Sequence, residues 1–399
     1  MIYQKRDKRG LCKVSSTSIA TFSLLAGLLG AFFVLAVPAY ADGGAPQRAY
    51  VAGSSAGVSV ISIPLQKVTS TIQVSPMPSM VLLSPDARFL YAAESQQNRV
   101  AVIAAATGQT FCTANVAGQP KFLALDTTSG AATLFAAGNG AASVTAIDPT
   151  NCSIKHTYPV NGGVYGLAVA QVGAALNGAS GSQLWVSDSS ALDIFDIAKN
   201  QKLGSITVPG GPGYISIPPG ATVYATTRQG SVIALDLNSR QQTTLVTGGS
   251  YGPMDYDATT GEVYVPDRNG DQVLVLAPVS AGSATPKEPS RTISMHGVAP
   301  ASIAITSDGQ LGFVALESGD VAMLDLPGRQ TVTTIHVGGS PGFIITGLNP
   351  PLVGTTPQQA SQLTTLATIG AYVLIALLLI VPILIFRRYL RVEAKKDKQ

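Results

Sequence analysis

The chain repeats one short pattern seven times, and this repeat constrains the fold more than any other feature of the sequence. Each copy opens on a short strand with an aromatic residue near its start, continues through a polar turn, and ends in an alternating apolar strand. In the first copy, 49–52 reads Ala-Tyr-Val-Ala and 58–61 reads Val-Ser-Val-Ile. The aromatic markers, spaced by 41, 44, 50, 39, 40 and 49 residues, are Tyr50, Tyr91, Phe135, Trp185, Tyr224, Tyr264 and Phe313.

Two further strand-like stretches separate successive markers. One reads Thr-Ile-x-Val or similar, as at 71–74, 205–208 and 334–337. The other follows a Gly/Pro turn, as at 300–305, which ends in a Ser-Asp-Gly turn at 307–309. Four short strands per unit, with period-2 alternation and Gly, Pro and Asp in the turns, are typical of a propeller blade. The sequence therefore predicts an all-β fold, a seven-bladed β-propeller, because no stretch in 42–365 keeps the 3.6-residue apolar spacing of a helix.

The repeats resemble the YVTN family of β-propeller repeats, and in places NHL repeats. The YVTN-like features are the aromatic-Val opening, the Val-x-Val-Ile-Asp strand, the Thr-Ile-x-Val-Gly strand and the Ser-Pro-Asp-Ala turn at 84–87. The resemblance covers 49–347, and it is weakest in blades three and four, where 171–182 is a longer Gly/Ala/Ser-rich insertion. It implies the fold but no single activity, since propellers of this kind carry out many functions.

The phase of the repeat makes a sharper structural prediction. In propellers of this family the strand after the Gly/Pro turn is innermost and the Thr-Ile-x-Val strand is outermost. The first unit opens with a second strand at Tyr50, whereas the last unit is followed by one more strand of the innermost type at 342–347. We therefore expect 342–347 to complete the blade that 50–74 begins, which closes the ring without an open edge.

Both ends of the chain carry apolar segments beside basic residues. A basic start, an apolar run from Ile19 to Val37 and an Ala-x-Ala pattern before Asp42 predict a signal peptide at 1–41. The run is also long enough for an uncleaved signal anchor, which is the alternative. Near the other end, 366–386 is apolar and uncharged, which predicts one transmembrane helix, and the basic tail 387–399 predicts a cytoplasmic C-terminus. These predictions place the propeller, 42–348, outside a cell membrane, with 349–365 as a Pro/Thr/Gln-rich spacer.

The distribution of charge argues against a nucleic-acid partner. The chain has a net charge of +3, but 1–41 and 387–399 each contribute +4, which leaves 42–386 with −5. Binding to phosphates needs a basic patch on the folded domain, and the basic excess lies wholly in the two ends. The membrane is therefore the partner that the basic ends indicate.

The exported region contains two of the three cysteines of the chain, Cys112 and Cys152. An export compartment permits a disulfide between them, and we place both on or beside outer strands of neighbouring blades. Two isolated cysteines are too few for a structural zinc site. The sequence leaves open whether the disulfide forms.

No catalytic or metal-binding motif stands out. The histidines His156, His296 and His336 map to outer strands or their ends, where they do not converge on one site. The chain has no Walker loop, no His-Glu-x-x-His and no Gly-x-Ser-x-Gly after a strand. The stretch 267–271, Asp-Arg-Asn-Gly-Asp, is similar to a calcium loop but lacks the later Glu, so a strand-connecting turn explains it better. We therefore expect no catalytic residue, no metal and no cofactor.

The remaining candidates for ligand binding lie in the turns between blades and in the turns after each aromatic strand. In propellers these turns surround the mouth of the central channel. Mixed charges and tyrosines around one opening are suited to a polar small molecule, a glycan or a peptide, although surface turns are often polar without binding anything. The candidates are Glu94, Arg99, Lys121, Tyr165, Asp188, Tyr214, Arg228, Tyr251, Asp267, Arg268 and Glu317.

Two functions remain compatible with the sequence. The first is a non-enzymatic, membrane-tethered binding or scaffold module for an extracellular protein, a polysaccharide or a small polar ligand. The alternative is a propeller enzyme, either a lactonase-like hydrolase or a quinoprotein-like dehydrogenase. Three histidines and a single Trp weaken the alternative, whereas carboxylates such as Glu94, Asp188, Asp267 and Glu317 meeting in the channel would support it.

Overall fold

A computed structural model of the chain describes residues 47–128, 131–172, 181–220, 222–279 and 289–347. Within them, 28 strands form seven antiparallel sheets of four strands each, which are the blades of the predicted propeller. The segments predicted as signal peptide (1–41), spacer (349–365), transmembrane helix (366–386) and cytoplasmic tail (387–399) lie outside the described residues. No helix in the described part of the chain is long and apolar enough to cross a membrane.

The blades follow one another along the chain, and only blade 1 combines strands from both ends of the ring. Blade 1 contains β28 (Phe343–Thr346), β1 (Arg48–Ser54), β2 (Gly57–Ser62) and β3 (Lys67–Ile72). Blade 2 contains β4 (Met80–Leu83), β5 (Phe89–Glu94), β6 (Arg99–Ala104) and β7 (Thr110–Asn115). Blade 3 contains β8 (Phe122–Asp126), β9 (Thr133–Ala137), β10 (Ser143–Ile147) and β11 (Ile154–Pro159). Blade 4 contains β12 (Gly166–Val172), β13 (Gly181–Ser187), β14 (Ala191–Asp196) and β15 (Gln201–Thr207).

The other three blades have the same order. Blade 5 contains β16 (Pro212–Ser216), β17 (Thr222–Thr227), β18 (Ser231–Asp236) and β19 (Gln242–Thr247). Blade 6 contains β20 (Asp255–Tyr256), β21 (Val263–Asp267), β22 (Gln272–Leu276) and β23 (Arg291–Ser294). Blade 7 contains β24 (Pro300–Ile305), β25 (Leu311–Leu316), β26 (Asp320–Asp325) and β27 (Gln330–His336). The inner strand of blade 6 is only two residues long.

The ring closes as the repeat phase predicts. Strand β28 pairs antiparallel with β1, and Tyr50 lies opposite Ile345 in the register. The first strands of neighbouring blades contact one another, β28 with both β24 and β4, so these strands surround the centre of the ring. At the end of the described chain, the Gly347 amide donates to the Arg48 carbonyl at 2.6 Å.

The aromatic markers hold the blades together, as their recurrence in the sequence suggests. All seven lie on the second strand of their blade, and none is more than 3% exposed. Burial of one such side chain is worth on the order of 3 kcal/mol in transfer free energy. Because each blade presents both of its faces to neighbours, the second and third strands are almost wholly buried.

Register shifts disrupt the exposed edges of the blades. In six of the seven blades the pairing between the third strand and the outer strand contains a shift, as between Val102 and Ile103 of β6. Such bulges twist an edge strand and make it a poor template for pairing with another chain. The outer strands therefore end the sheets without exposing long regular edges.

A disulfide joins Cys112 on the outer strand of blade 2 to Cys152, which lies just before the outer strand of blade 3. Their Cα atoms are 6.0 Å apart, and the two cysteines are 40 positions apart in sequence. The bond thus ties the outer parts of two neighbouring blades.

Candidate functional site

The antiparallel order of each blade gives the ring two faces. The face that carries the connections between blades and the turns from second to third strands is called the upper face. The face that carries the remaining turns is called the lower face. Ten of the eleven predicted site residues lie in upper-face connections or at the strand ends beside them, namely Glu94, Arg99, Lys121, Tyr165, Asp188, Arg228, Tyr251, Asp267, Arg268 and Glu317. Tyr214 lies within the inner strand β16.

Glu94 is buried and acts within the protein. It is 2% exposed at the end of β5, and its carboxylate accepts a hydrogen bond from the Ser75 amide at 3.0 Å. The same carboxylate forms an ion pair with Arg99, the first residue of the next strand. Glu94 therefore fixes the connection between blades 1 and 2, and it is not available to a ligand.

Asp188 and Asp267 are also buried and also organise turns. Asp188 accepts the amides of Ser190 and Ala191 at 2.7 and 2.6 Å, which folds the turn after β13. Asp267 accepts the Ser250 amide at 3.1 Å and so joins the second strand of blade 6 to the connection that precedes that blade. The sequence indicates surface positions for these carboxylates because turns are usually exposed.

The exposed candidates form pairs that bridge neighbouring blades. The Arg228 guanidinium of blade 5 lies 4.4 Å from the centre of the Tyr165 ring, in the connection before blade 4, and it donates to the Ser189 carbonyl. The Arg268 Nε of blade 6 is 3.3 Å from the Glu317 Oε1 of blade 7. Lys121 is half-buried in the connection before blade 3. The exposed groups therefore ring the upper face and do not form one cluster.

A cavity of about 340 Å³ with a mixed polar and apolar lining lies between blades 5 and 6, where it runs from the upper-face connection along the outer strand of blade 6. Two predicted residues, Tyr251 and Asp267, line it. Burial raises the pKa of the Tyr251 hydroxyl, and the charge of Asp267 raises it further. Tyr251 therefore stays a neutral hydrogen-bond donor at any physiological pH. The remaining lining residues are Val246, Thr247, Gly248, Gly249, Gln272, Leu274, Pro289 and Thr292.

The lumen of the ring is a separate cavity of about 390 Å³, lined by residues of all seven inner strands. Near its upper end, Tyr214 of blade 5 meets Phe343 of blade 1, with ring centroids 6.3 Å apart. These blades are three apart in a ring of seven, so the two rings meet across the lumen. Tyr214 is thus a lumen residue and does not belong to the rim of turns.

Among the described residues that line this lumen, one has a charged side chain, Asp255 of β20. Asp255 pairs with the aromatic marker Tyr264, in the same register position that an inner-strand residue occupies in every other blade. Those residues are Leu82, Ala124, Ala168, Ser216, Ala304 and Ile345. Asp255 is the one acidic residue among these seven positions.

Burial in the apolar lumen raises the pKa of Asp255 to about 6, although two backbone amides oppose the shift. The Ile305 amide of blade 7 donates to Oδ2 at 2.8 Å and the Tyr256 amide to Oδ1 at 2.9 Å. The repeat pattern does not reveal this residue because a two-residue strand shows no alternation. Alignment of the inner strands on the aromatic markers would have found it.

The described residues contain no group of three or more His, Cys, Asp or Glu side chains that could hold a metal ion. His156 and His336 lie on the outer strands β11 and β27, and His296 follows the outer strand β23. The carboxylates that the enzyme alternative needs are distributed over the turns of blades 2, 4, 6 and 7. The stretch 267–271 includes the turn between β21 and β22.

The sequence matches no protein-family model and no curated protein. Many solved structures share the fold. Among them is Kuenenia stuttgartiensis hydrazine synthase, with a TM-score of 0.57 and 18% identity over 68% of this chain and 89% of that one. The RRP9 WD40 repeats give a TM-score of 0.58 and 13% identity over 68% of this chain and 84% of that one. The dihydro-heme d1 dehydrogenase NirN gives 0.55 and 12% over 76% of each chain.

These similarities show the fold alone. They include enzymes and a WD40 repeat protein, and identities of 12–18% assign neither function to this chain. The seven-bladed propeller is therefore established, whereas the YVTN and NHL resemblance stays a prediction.

Proposed function

We propose that the chain is a membrane-tethered, extracytoplasmic binding module that presents its upper face to a ligand. The observation that carries the proposal is where the ring begins and ends. Arg48 begins β1 and Gly347 follows β28, and both lie at the lower face, where a hydrogen bond joins them. A tether that continues from Gly347 leaves the upper face free.

The upper-face cavity favours a hydroxyl-rich ligand, such as a segment of a surface polysaccharide. The cavity combines an aromatic ring, a carboxylate, an amide and threonine hydroxyls, from Tyr251, Asp267, Gln272, Thr247 and Thr292. Carbohydrate hydroxyls are both donors and acceptors, so such a mixed set of groups satisfies them. A protein partner would instead use the exposed pairs around the rim.

The test is binding of the full-length protein to an array of bacterial and eukaryotic polysaccharides, followed by affinity measurements with Tyr251→Ala. We expect this substitution to weaken binding by at least tenfold, because among the described residues it removes the only aromatic ring in the cavity lining. Val332→Ser, at a 44% exposed position on the outer strand β27, is the matched control and should bind like the native protein.

Two results would contradict the proposal. Equal losses for Tyr251→Ala and Val332→Ser would show that the cavity does not bind the ligand. Binding of no polysaccharide, together with turnover of a lactone or reduction of a dye in the presence of a quinone cofactor, would favour the enzyme alternative.

A further inference from the structure

We propose that the lumen is a second binding site, which takes a small organic ammonium ion with an apolar body and holds it through the Asp255 carboxylate. The proposal does not depend on the function assigned to the upper face. It rests on the shape of the cavity, on its lining and on the one charge that its described residues carry.

The lumen has the size of a small-molecule site and continues toward the lower face. By comparison with a cavity of about 150 Å³ that holds one benzene, its volume of about 390 Å³ fits two or three groups of that size. A second cavity of about 280 Å³ adjoins it among the lower-face turns. Asp255 and Tyr256 line both cavities, so the carboxylate lies where they meet. Across the upper end, Tyr214 and Phe343 narrow the lumen.

The lining favours a cation with an apolar body. Most side chains of the inner strands in the lumen are aliphatic or aromatic, and neither cavity is lined by a Lys, Arg or His among the described residues. The two hydrogen bonds that Asp255 accepts come from neutral amides, so its negative charge has no positive partner in the described protein. An ammonium group supplies the positive charge that pairs with Asp255, and the carbon skeleton attached to it fills the apolar part of the lumen.

Asp255 also has a structural contact, since its Oδ2 accepts the Ile305 amide of the neighbouring blade. This contact alone does not explain a carboxylate. At the same register position, opposite the aromatic marker, blades 2 and 7 have Leu82 and Ala304, and their inner strands pair without a carboxylate there. A neutral Asn would accept the same amide without bringing a charge into an apolar cavity.

The experiment measures thermal unfolding and binding calorimetry of the full-length protein with pairs of probes that differ only in charge. Phenethylamine is compared with 2-phenylethanol, and cyclohexylamine with cyclohexanol, at pH 7.5. We expect each amine to bind the native protein at least tenfold more tightly than its alcohol. In Asp255→Asn this preference should disappear, whereas Asp148→Asn, in an outer turn of blade 3, should keep it.

Asp148→Asn removes one negative charge while leaving the lumen intact, so it controls for nonspecific attraction of amines to the protein. The preference for amines should also weaken in the native protein as the pH falls below about 6, because Asp255 then takes up a proton. Two titratable groups respond to the charge of Asp255, namely Tyr214 of the adjacent blade 5 and Tyr256 of the same strand; both have raised pKa values and stay neutral in this pH range. Equal binding of amine and alcohol, or an amine preference that survives in Asp255→Asn, would overturn the proposal.

Discussion

At the scale of single residues, the molecule uses carboxylates in two opposite ways. Glu94 faces Arg99 and a backbone amide, so its charge is compensated where it is buried. Asp255 accepts two amides, but it lies in an apolar lumen. Its ionisation therefore costs the folded state free energy.

Asp255→Asn is expected to stabilise the protein at neutral pH. The folded-state pKa of about 6 lies above the ordinary value of 3.8, so the folded protein binds more protons than the unfolded chain between these values. This residue's contribution to stability therefore falls as the pH rises from about 4 to about 6. Removing the charge should add about 1–2 kcal/mol at pH 7.5, after allowance for one weakened hydrogen bond.

Chemical denaturation at pH 7.5 and pH 4.5 checks this expectation. The stability difference between variant and native protein should be positive at the higher pH and shrink toward zero or below at the lower one. A difference that does not change with pH would mean that Asp255 titrates normally in the folded protein.

At the scale of elements, two features fasten strands that the chain alone would hold weakly. The four residues of β28 join the end of the ring to β1, and the disulfide joins the outer parts of blades 2 and 3. Each acts between segments distant in sequence, so its loss affects the ring and not one blade.

Deletion of Phe343–Thr346 should abolish cooperative unfolding. Blade 1 would lose its inner strand and expose the edge of β1, together with the apolar surface that Ile344 covers at 1% exposure. Circular dichroism during heating, with Val332→Ser as the control, measures the effect. A deletion protein with one sharp transition near the native temperature would show that the ring does not depend on this closure.

Replacement of both Cys112 and Cys152 by Ser should lower the free energy of unfolding by about 2–4 kcal/mol, the range typical for a loop of this length. The segment between the cysteines, which are 40 positions apart in sequence, gains conformational freedom in the unfolded chain when the bond is absent. Denaturant titration of the native and double-Ser proteins, each with and without a reducing agent, measures the change. If the reductant destabilised both proteins equally, the disulfide would not be the cause.

At the scale of the whole molecule, the repeat predicted most of the architecture and little of the site. Seven aromatic markers at near-regular spacing indicated seven blades, and the extra inner strand at 342–347 indicated the closure, because both depend on local patterns. The contact between Tyr214 and Phe343 depends on the distance between inner strands across the lumen, and no local sequence pattern encodes that distance. The burial of Glu94 and Asp267 likewise follows from packing between blades.

The side of the membrane on which the propeller lies distinguishes a binding module outside the cell from any role inside it. The measurement is labelling of Gln229→Cys with a membrane-impermeant maleimide in intact cells, or in spheroplasts where an outer membrane is present. Gln229 is exposed in the upper-face turn between β17 and β18. We predict full labelling before the membrane is permeabilised. Labelling only after permeabilisation would place the propeller in the cytoplasm and contradict the proposed function.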